Sequence, residues 1–349
     1  MTTTLVLPDH IAEQISNCAR LPLESAAVVL ARRVQTGDSV RLLARSIHWV
    51  DQAAYIERTA SHMSIKSEGY VGALGRAEID NAVAIWFHTH PGEGGVPLPS
   101  CWDEKVDKDI ADLFRLRSGS DYYGTLIASP RGATFAFSGT IQQETGGTSA
   151  IDRIWTVGER WRLTHCYTSA SIPPDEIFNR NIRAFGPAIQ SILGDLRIAI
   201  VGAGGTGSAV AEQLVRLGVR YLLLVDPDHL SPSNVTRVYG STQRDVGRPK
   251  VDVLRDHLLA IAPDLDCKTI AEMATLKPVA QALAAADLVF GCTDDNAGRL
   301  VLSRLSTYFL LPVIDVGVLL SSDASGGLSG VDGRVTTLSA GVVICVACG

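Results

Sequence analysis

The pattern of apolar and polar positions changes about halfway along the chain. In the first half, apolar residues at helical spacing predict a helix over residues 9–20, and a second helix is expected at about 100–116. Apolar runs in this half predict strands over residues 26–31, 40–44, 82–87, 124–128 and 133–137. From residue 196, short continuous apolar strands alternate with helices, which predicts a parallel sheet covered on both faces.

The second half contains one βαβ unit followed by further alternating elements. The predicted strands are 197–201, 221–225, 265–271, 288–291 and 313–316, and the predicted helices are 208–217, 250–261, 278–286 and 296–308. A polar, Gly/Thr-rich stretch at 139–150 and an irregular patch at 168–174 separate the halves. We therefore expect an N-terminal domain over 1–145, a linker over 146–174 and a second domain over 175–349.

Composition and charge exclude several classes of protein. With 349 residues, 46 % hydrophobic and 19 % charged, the chain has enough apolar material for two buried cores. The net charge of −6 argues against a nucleic-acid binder, and no apolar run reaches the length of a membrane span. The N-terminus lacks the features of a signal peptide, and seven scattered cysteines do not form a secreted disulfide framework. We expect a cytoplasmic protein.

Two histidines follow one of the predicted strands. His88 and His90 are two residues apart as the strand ends, so both imidazoles can reach one metal ion. With Asp103 and a water, they suit a four-coordinate zinc that keeps an open position. Ser100 and Asp103 also fit a capping box, which alone would explain both residues. Glu24, upstream, fits the base that attack by a zinc-bound water needs.

Together these residues resemble the JAMM (MPN+) metalloprotease motif, a distant Glu followed by His-x-His-Pro and Ser-x-x-Asp. The resemblance covers about residues 5–140 and implies a mixed-sheet α/β/α domain that cuts isopeptide or peptide bonds at the C-terminus of ubiquitin-like proteins. It implies that His88, His90 and Asp103 bind zinc, that Glu24 is the general acid/base and that Ser100 is an oxyanion donor. The spacer between His90 and Ser100 is longer than the commoner family spacing.

A glycine-rich turn opens the second half. Gly202, Gly204, Gly205 and Gly207 follow a predicted strand and begin a helix, where the backbone can approach phosphates and free N–H groups bind anionic oxygen. Asp226, about twenty residues on at a strand end, can bind ribose hydroxyls. By themselves these residues fit an NAD enzyme as readily as an ATP enzyme.

The residues that follow favour ATP. Arg237 and Lys250 supply cations of the kind that triphosphate oxygens need. Asp294 comes just after predicted strand 288–291. In α/β proteins, ligands bind at the carboxyl ends of the strands, so Asp294 is a candidate Mg²⁺ ligand. Any one of these residues alone could be a solvated loop charge or a helix cap, but the ordered set argues against that interpretation.

From about Asn179 onward the chain resembles the ThiF/MoeB family, the adenylating fold shared with ubiquitin-activating enzymes. The resemblance implies a Rossmann-like doubly wound domain that converts a C-terminal glycine carboxylate into an acyl-adenylate, using ATP and Mg²⁺. It implies that Asp226 binds ribose, that Asp294 binds Mg²⁺, and that Arg237, Lys250 and Arg180 bind phosphates. In the family, such an arginine often reaches the site of the partner subunit in a dimer.

Two further motifs of this family are Asp-x-Asp, which ends here at Asp228, and Asn-x-x-Arg, which begins here at Asn234, and the resemblance implies that both residues bind the nucleotide. Val238 departs from the family, which usually has Gln after that arginine. Cys345 and Cys348 look like the first half of the family's Cys₄ zinc site, but a lone pair supplies only two of four ligands. We therefore expect either an adenylating domain that is incomplete at its C-terminus or cysteines that pair, stay free or share a metal with another subunit.

The sequence as a whole predicts a bifunctional α/β enzyme of a ubiquitin-like or sulfur-carrier system. Its zinc (iso)peptidase half and its adenylating half would act on a carrier protein with a C-terminal glycine, and the chain is expected to form a homodimer. Two alternatives stay open. One is a carrier-binding scaffold with one dead site, and the other is an NAD-dependent oxidoreductase, which Arg237, Lys250 and Asp294 disfavour.

Overall fold

The computed structural model describes residues 2–36, 39–92, 95–166, 176–323 and 325–339. The chain divides into two compact units, Met1–Thr168 and Ser169–Gly349. Cys345 and Cys348, the predicted partial zinc site, lie outside the described residues. Within the described residues, no helix combines the length and apolar character that crossing a bilayer requires.

The described part of the first unit is built on a nine-stranded mixed sheet. The strands of the unit, which include two outside this sheet, are β1 (Thr2–Pro8), β2 (Ala26–Thr36), β3 (Ser39–Trp49), β4 (Tyr55–Arg58), β5 (Met63–Ile65), β6 (Val83–Thr89), β7 (Tyr122–Arg131), β8 (Thr134–Gln143), β9 (Thr148–Ala150), β10 (Arg153–Val157) and β11 (Arg162–His165). The helices are α1 (Asp9–Ala19), α2 (Glu68–Asp80) and α3 (Cys101–Ser118). The sheet order is β11-β10-β1-β3-β2-β6-β7-β8-β9, and β4 and β5 form a separate hairpin.

Both faces of this sheet are buried. Along β2, Val29 faces the core that contains Ile15 of α1, whereas Val28 faces the core that contains Leu74 of α2 and Phe114 of α3. A strand buried on both faces needs apolar residues at successive positions, which explains the continuous apolar run in this part of the sequence. The unit is therefore an α/β/α arrangement with α1 on one face and α2 and α3 on the other.

The segment predicted as a linker, 146–174, differs from that prediction over most of its described part. Strands β9, β10 and β11 lie within it and extend both edges of the first sheet. Ile154 and Val157 of β10 are fully buried, because β10 pairs in parallel with β1 at the other end of the unit's sequence. The remaining residues of the segment, from 167, lie outside the described part of the chain.

The described part of the second unit is a doubly wound sheet. Its strands are β12 (Arg197–Val201), β13 (Tyr221–Val225), β14 (Asp266–Ile270), β15 (Leu288–Gly291), β16 (Val313–Ser322) and β17 (Leu328–Leu338). The helices are α4 (Asn179–Phe185), α5 (Pro187–Asp195), α6 (Gly205–Arg216), α7 (Lys250–Ile261), α8 (Lys277–Leu283) and α9 (Asn296–Phe309). The strands follow the order β14-β13-β12-β15-β16-β17, all parallel except β17.

This strand order is that of a Rossmann-type fold. Counted along the chain it runs third, second, first, fourth, fifth, sixth, so the order reverses between β12 and β15. In such sheets ligands bind in the crevice outside the carboxyl ends of the strands at this switch point. The crevice is therefore expected between the residues that follow β12 and those that follow β15.

Candidate functional site

Three predicted ligands meet at the carboxyl end of β6. His88 pairs with Ala26 of β2 and is 3 % exposed, and His90 follows the end of the strand. The two Nε2 atoms are 3.2 Å apart, and the carboxylate oxygens of Asp103 lie 3.2 Å from His88 Nε2 and 3.3 Å from His90 Nε2. Zinc bonds of about 2.0–2.1 Å at tetrahedral angles would place ligand atoms about 3.3 Å apart. The spacing of the three side chains therefore fits zinc.

The capping box weighed as an alternative explanation is present as well. The Ser100 backbone N–H donates to Asp103 Oδ2 at 2.6 Å, and the Asp103 N–H donates to Ser100 Oγ at 3.2 Å. One carboxylate therefore caps α3 and also receives both imidazoles, so capping fixes its orientation without excluding a metal. Burial raises the pKa of the Asp103 carboxyl, but hydrogen bonds from His88 and His90 outweigh burial and hold that pKa well below its usual range.

The imidazoles differ in environment. The pKa of His90 is raised, chiefly because its ring donates a hydrogen bond to the Asp103 carboxylate, and burial opposes this. Among the described residues, the buried Nδ1 of His88 has no hydrogen-bond partner. Only the Nε2 atoms converge with Asp103, so these nitrogens are the ones available to a metal.

Glu24 lies beside this cluster at the entry to β2. Its carbonyl oxygen accepts a hydrogen bond from Arg58 Nε at 2.6 Å, and the residue is 7 % exposed. Burial raises the pKa of the Glu24 carboxyl, whereas His88 and His90 lower it. Glu24, Ser100 and the three candidate ligands all line one cavity of about 560 Å³, so the structure brings the whole predicted set together.

In the second unit, the glycine-rich turn lies at the switch point. Gly202 directly follows β12 with a φ of +99°, and its N–H donates to Val225 O at 2.8 Å. The helix α6 begins at Gly205, so its first N–H groups face the crevice. A Cβ at Gly207 would lie 1.7 Å from the Gly202 carbonyl oxygen, so only glycine fits there.

We predict that Gly207→Ala destabilises the second unit and that Gly204→Ala, its matched control, does so much less. The added methyl at Gly207 meets backbone, whereas a Cβ at Gly204 has nothing within 4 Å. The free energy of unfolding should fall by about 2 kcal/mol or more for Gly207→Ala and by less than about 1 kcal/mol for Gly204→Ala. Thermal and denaturant unfolding without nucleotide measure both. Equal losses would show that the turn does not have the tight approach described above.

Asp226, Asp228 and Lys250 form a connected group beside the turn. The Asp226 carboxylate accepts hydrogen bonds from the N–H groups of Ala203, at 2.6 Å, and Asp228, at 2.8 Å. Burial raises the pKa of Asp226, and these two backbone hydrogen bonds lower it. Lys250 Nζ lies 2.7 Å from Asp228 Oδ2, with the lysine side chain 10 % exposed and the aspartate side chain 64 % exposed. A buried ammonium is therefore connected to the glycine turn through Asp228 and Asp226.

The Asn-x-x-Arg motif divides into a structural part and an exposed part. The Asn234 side chain accepts a hydrogen bond from the Ser231 N–H at 3.1 Å and completes a capping box, so its carbonyl oxygen already shapes the loop. Arg237 is exposed and lies against the turn, where a Cβ at Gly205 would be 3.5 Å from its side chain. Val238 is 3 % exposed and contributes an apolar side chain to the interior.

Asp294 and Arg180 are the remaining predicted residues. Asp294 is exposed just beyond β15, and the neighbouring Asp295 caps α9 by accepting hydrogen bonds from two backbone N–H groups. Mg²⁺ is usually bound by one or two carboxylates together with substrate phosphates, and Asp294 can supply one such carboxylate. Arg180 is exposed on α4, and among the described residues it forms no ion pair with the group around Lys250.

Asp315 is not among the residues that the sequence motifs predicted. This residue is 1 % exposed near the start of β16, where its carboxylate lies 3.5 Å from Arg299 Nε and 3.3 Å from Arg334 Nη2. A Cβ at Gly291, the last residue of β15, would lie 3.1 Å from Asp315 Oδ1. A carboxylate inside an otherwise apolar strand was the available signal, because a buried charge needs partners.

The second half of the chain matches a known family, since residues 178–349 match the ThiF family. The molybdopterin-synthase adenylyltransferase of Escherichia coli is 38 % identical over 124 residues, which are 35 % of this chain and 50 % of the relative. The sulfur carrier protein ThiS adenylyltransferase of E. coli is 33 % identical over 125 residues, 36 % of this chain and 50 % of the relative. The chain thus spans about half the length of these curated relatives. Residues 178–349 are therefore similar in sequence to the ThiF family and to these two adenylyltransferases.

Among solved structures, E. coli tRNA N6-threonylcarbamoyladenosine dehydratase in complex with AMP is also similar. It aligns with a TM-score of 0.41 and 23 % identity, covering 46 % of this chain and 66 % of that chain.

Proposed function

We propose that the chain contains two enzymatic domains that act on the C-terminus of the same class of carrier protein. The ThiF-like domain would adenylate the C-terminal glycine of a ubiquitin-like or sulfur-carrier protein, and the first unit would be a JAMM-type zinc (iso)peptidase. For adenylation, the supporting observation is the family match of residues 178–349, in which hydrogen bonds through Asp226 and Asp228 connect the glycine turn to Lys250. The name of one relative specifies a sulfur carrier, ThiS, as its substrate, which supports a carrier of that kind here.

In the proposed reaction, a carboxylate oxygen of the carrier's terminal glycine forms a bond to the α-phosphorus of ATP, and the bond to pyrophosphate breaks. The first N–H groups of α6 would hold phosphate oxygens, and Arg237 and Lys250 would neutralise the charge that grows on the departing pyrophosphate. Asp294 would hold Mg²⁺, and Asp226 would hold the turn and the ribose. Arg180, exposed on α4, would reach the nucleotide of a partner subunit in a homodimer.

ATP–pyrophosphate exchange tests this proposal directly. The full chain should exchange label into ATP only when a carrier that ends in glycine is present, and a carrier shortened by its last residue is the control. Calorimetric titration of the chain with ATP and Mg²⁺, and separately with NAD⁺, addresses the alternative enzyme. Binding of NAD⁺ without binding of ATP would contradict adenylation and favour the oxidoreductase.

For the peptidase, the supporting observation is the convergence of His88, His90 and Asp103 beside buried Glu24. The first three residues would hold zinc, which lowers the pKa of a bound water when it is present. Glu24 would accept a proton from the attacking water and return it to the leaving amine. Ser100, whose Oγ accepts the Asp103 N–H, keeps its hydroxyl proton available for the developing oxyanion.

We predict that Asp103→Asn carries about one zinc fewer per chain than the unaltered protein. The amide can still accept a capping hydrogen bond, but it supplies no charge to the metal and so weakens binding. Elemental analysis after dialysis measures the difference, and Asp109→Asn, an exposed acid on the same helix, is the matched control. Equal zinc in all three proteins would mean that Asp103 acts only as a helix cap.

A further inference from the structure

Three carboxylates line the cavity that contains His88 and His90, and the proposed peptidase uses two of them, Glu24 and Asp103. The third is Asp107, four residues after Asp103 on α3 and therefore one turn further along the same side, about 6 Å along the helix axis. No role in metal binding or proton transfer falls to it. A carboxylate that lines a substrate cavity without such a role is a candidate for recognition.

Asp107 is held in place by a hydrogen bond and has no ion pair among the described residues. Its Oδ1 accepts a hydrogen bond from the Tyr123 hydroxyl at 2.9 Å, and Tyr123 of β7 is fully buried, so the carboxyl group is oriented by the sheet. Within the described residues Asp107 has no ion pair, and no lysine or arginine lines the cavity. Burial raises the pKa of Asp107, and the Tyr123 hydrogen bond and the nearby His88 only partly oppose this. A cation on a bound ligand would pair with the Asp107 carboxylate and lower its pKa.

The walls beside Asp107 are apolar. Ile65, Tyr70, Trp86 and Ile110 line the same cavity, and the aromatic rings of Tyr70 and Trp86 are in edge contact, with centroids 5.9 Å apart. These apolar groups favour contact with the aliphatic stem of a ligand side chain. Lysine and arginine bury such stems against apolar surface while their charged ends keep a polar partner. Apolar wall residues together with the Asp107 carboxylate therefore match lysine or arginine rather than an acidic or a short polar residue.

We propose that this part of the cavity is a specificity pocket for a basic side chain of the substrate, with its stem against the apolar wall and its charge paired with Asp107. The proposal rests on the proposed peptidase function and adds the identity of one substrate residue. If the acyl side of the bond ends in glycine, the residue next to the bond on that side offers no side chain, whereas the residue directly after the bond does. We assign the basic side chain to that residue, on the amine side of the bond.

Cleavage of a carrier fusion with one variable residue after the terminal glycine tests the preference. Lysine and arginine at that position should give a kcat/KM about tenfold or more above methionine, with glutamate the poorest. Asp107→Asn should remove the preference by raising KM for the basic substrates, while methionine is cut as before and zinc content is unchanged. Asp109→Asn, exposed on the same helix, should behave like the unaltered protein. Equal cleavage of all four substrates by the unaltered protein would overturn the pocket.

Binding of small probes separates the pocket from the peptidase. Butylguanidinium and its neutral isostere butylurea, titrated into the full chain, should differ by about tenfold or more in affinity, read from the fluorescence of Trp86 and Trp102. If no fusion is cleaved but the cation binds better and Asp107→Asn removes the difference, the peptidase proposal fails and the pocket stands. If fusions are cleaved but both probes bind equally to the unaltered protein, the pocket proposal fails and the peptidase stands. The comparison in the unaltered protein does not depend on whether the variant folds.

Discussion

Replacement of Lys250 by alanine is expected to lower carrier-dependent ATP–pyrophosphate exchange by about a hundredfold or more. The Lys250 ammonium is held 2.7 Å from Asp228, and its side chain is only 10 % exposed. A desolvated cation placed before the reaction stabilises the charge that develops on departing pyrophosphate more than a solvated one does. Its loss would also leave the Asp228 carboxylate unpaired and facing phosphates, which adds repulsion.

Two variants show whether the loss has this cause. Lys268→Ala removes an exposed lysine from β14 of the same sheet and should exchange normally. Adding Asp228→Asn to Lys250→Ala should recover part of the lost rate, because it removes the unpaired charge. Circular dichroism has to show that each variant is folded. Full exchange by a folded Lys250→Ala protein would refute the assignment of Lys250 to phosphate.

Much of the second unit could be predicted from the sequence because its strands are short apolar runs between turn residues. The predicted strand 221–225 and helix 250–261 coincide with β13 and α7. The prediction was wrong where β16 continues to Ser322 and pairs with β17. Exposed apolar positions in that hairpin, such as Leu319 and Val331, do not alternate with a buried face, so the period of two that marks a strand is absent.

Helix α2 and strand β1 are two of the elements of the first unit that were not predicted, and the reasons differ. Helix α2 contains Gly69, Gly72 and Gly75, which lower helix propensity by about 1 kcal/mol each, so only its burial against the sheet explains it. Strand β1 has a strand-like sequence but depends on pairing with β10, which lies about 150 residues away along the chain at Arg153. Local pattern cannot show such pairing. The strands that complete the sheet were consequently placed in a linker.

Candidate site residues could be predicted where they belong to a local sequence motif. They could not be predicted where their position depends on contacts with distant parts of the chain. His88 and His90 follow from strand geometry, and the capping box fixes Asp103 beside them. Asp107 gains its orientation from Tyr123 on a distant strand, which the sequence does not reveal. Asn234 shows the converse, since its motif suggested a nucleotide ligand and its side chain oxygen instead accepts a loop hydrogen bond.

Glu24→Gln is expected to lower cleavage of a carrier fusion by about a thousandfold while zinc content stays unchanged. The two side chains have nearly the same shape, so the backbone contacts of residue 24, including the Arg58 hydrogen bond to its carbonyl, should persist. The amide cannot accept a proton from water at neutral pH. The measurement is the rate of cleavage of a fusion to the C-terminal glycine of a carrier from the same organism, with zinc determined on the same samples.

Glu57→Gln is the matched control for this prediction, because it makes the same chemical change at a 59 % exposed side chain on β4, in the hairpin whose loop borders the cavity. It should cut at the normal rate, since a solvated carboxylate outside the cluster cannot position a water against the bond. Unchanged cleavage by a zinc-loaded Glu24→Gln protein would refute Glu24 as the base. Loss of cleavage together with zinc would instead make Glu24 part of the metal-binding structure. Loss of cleavage alone is the result that proton transfer by Glu24 requires.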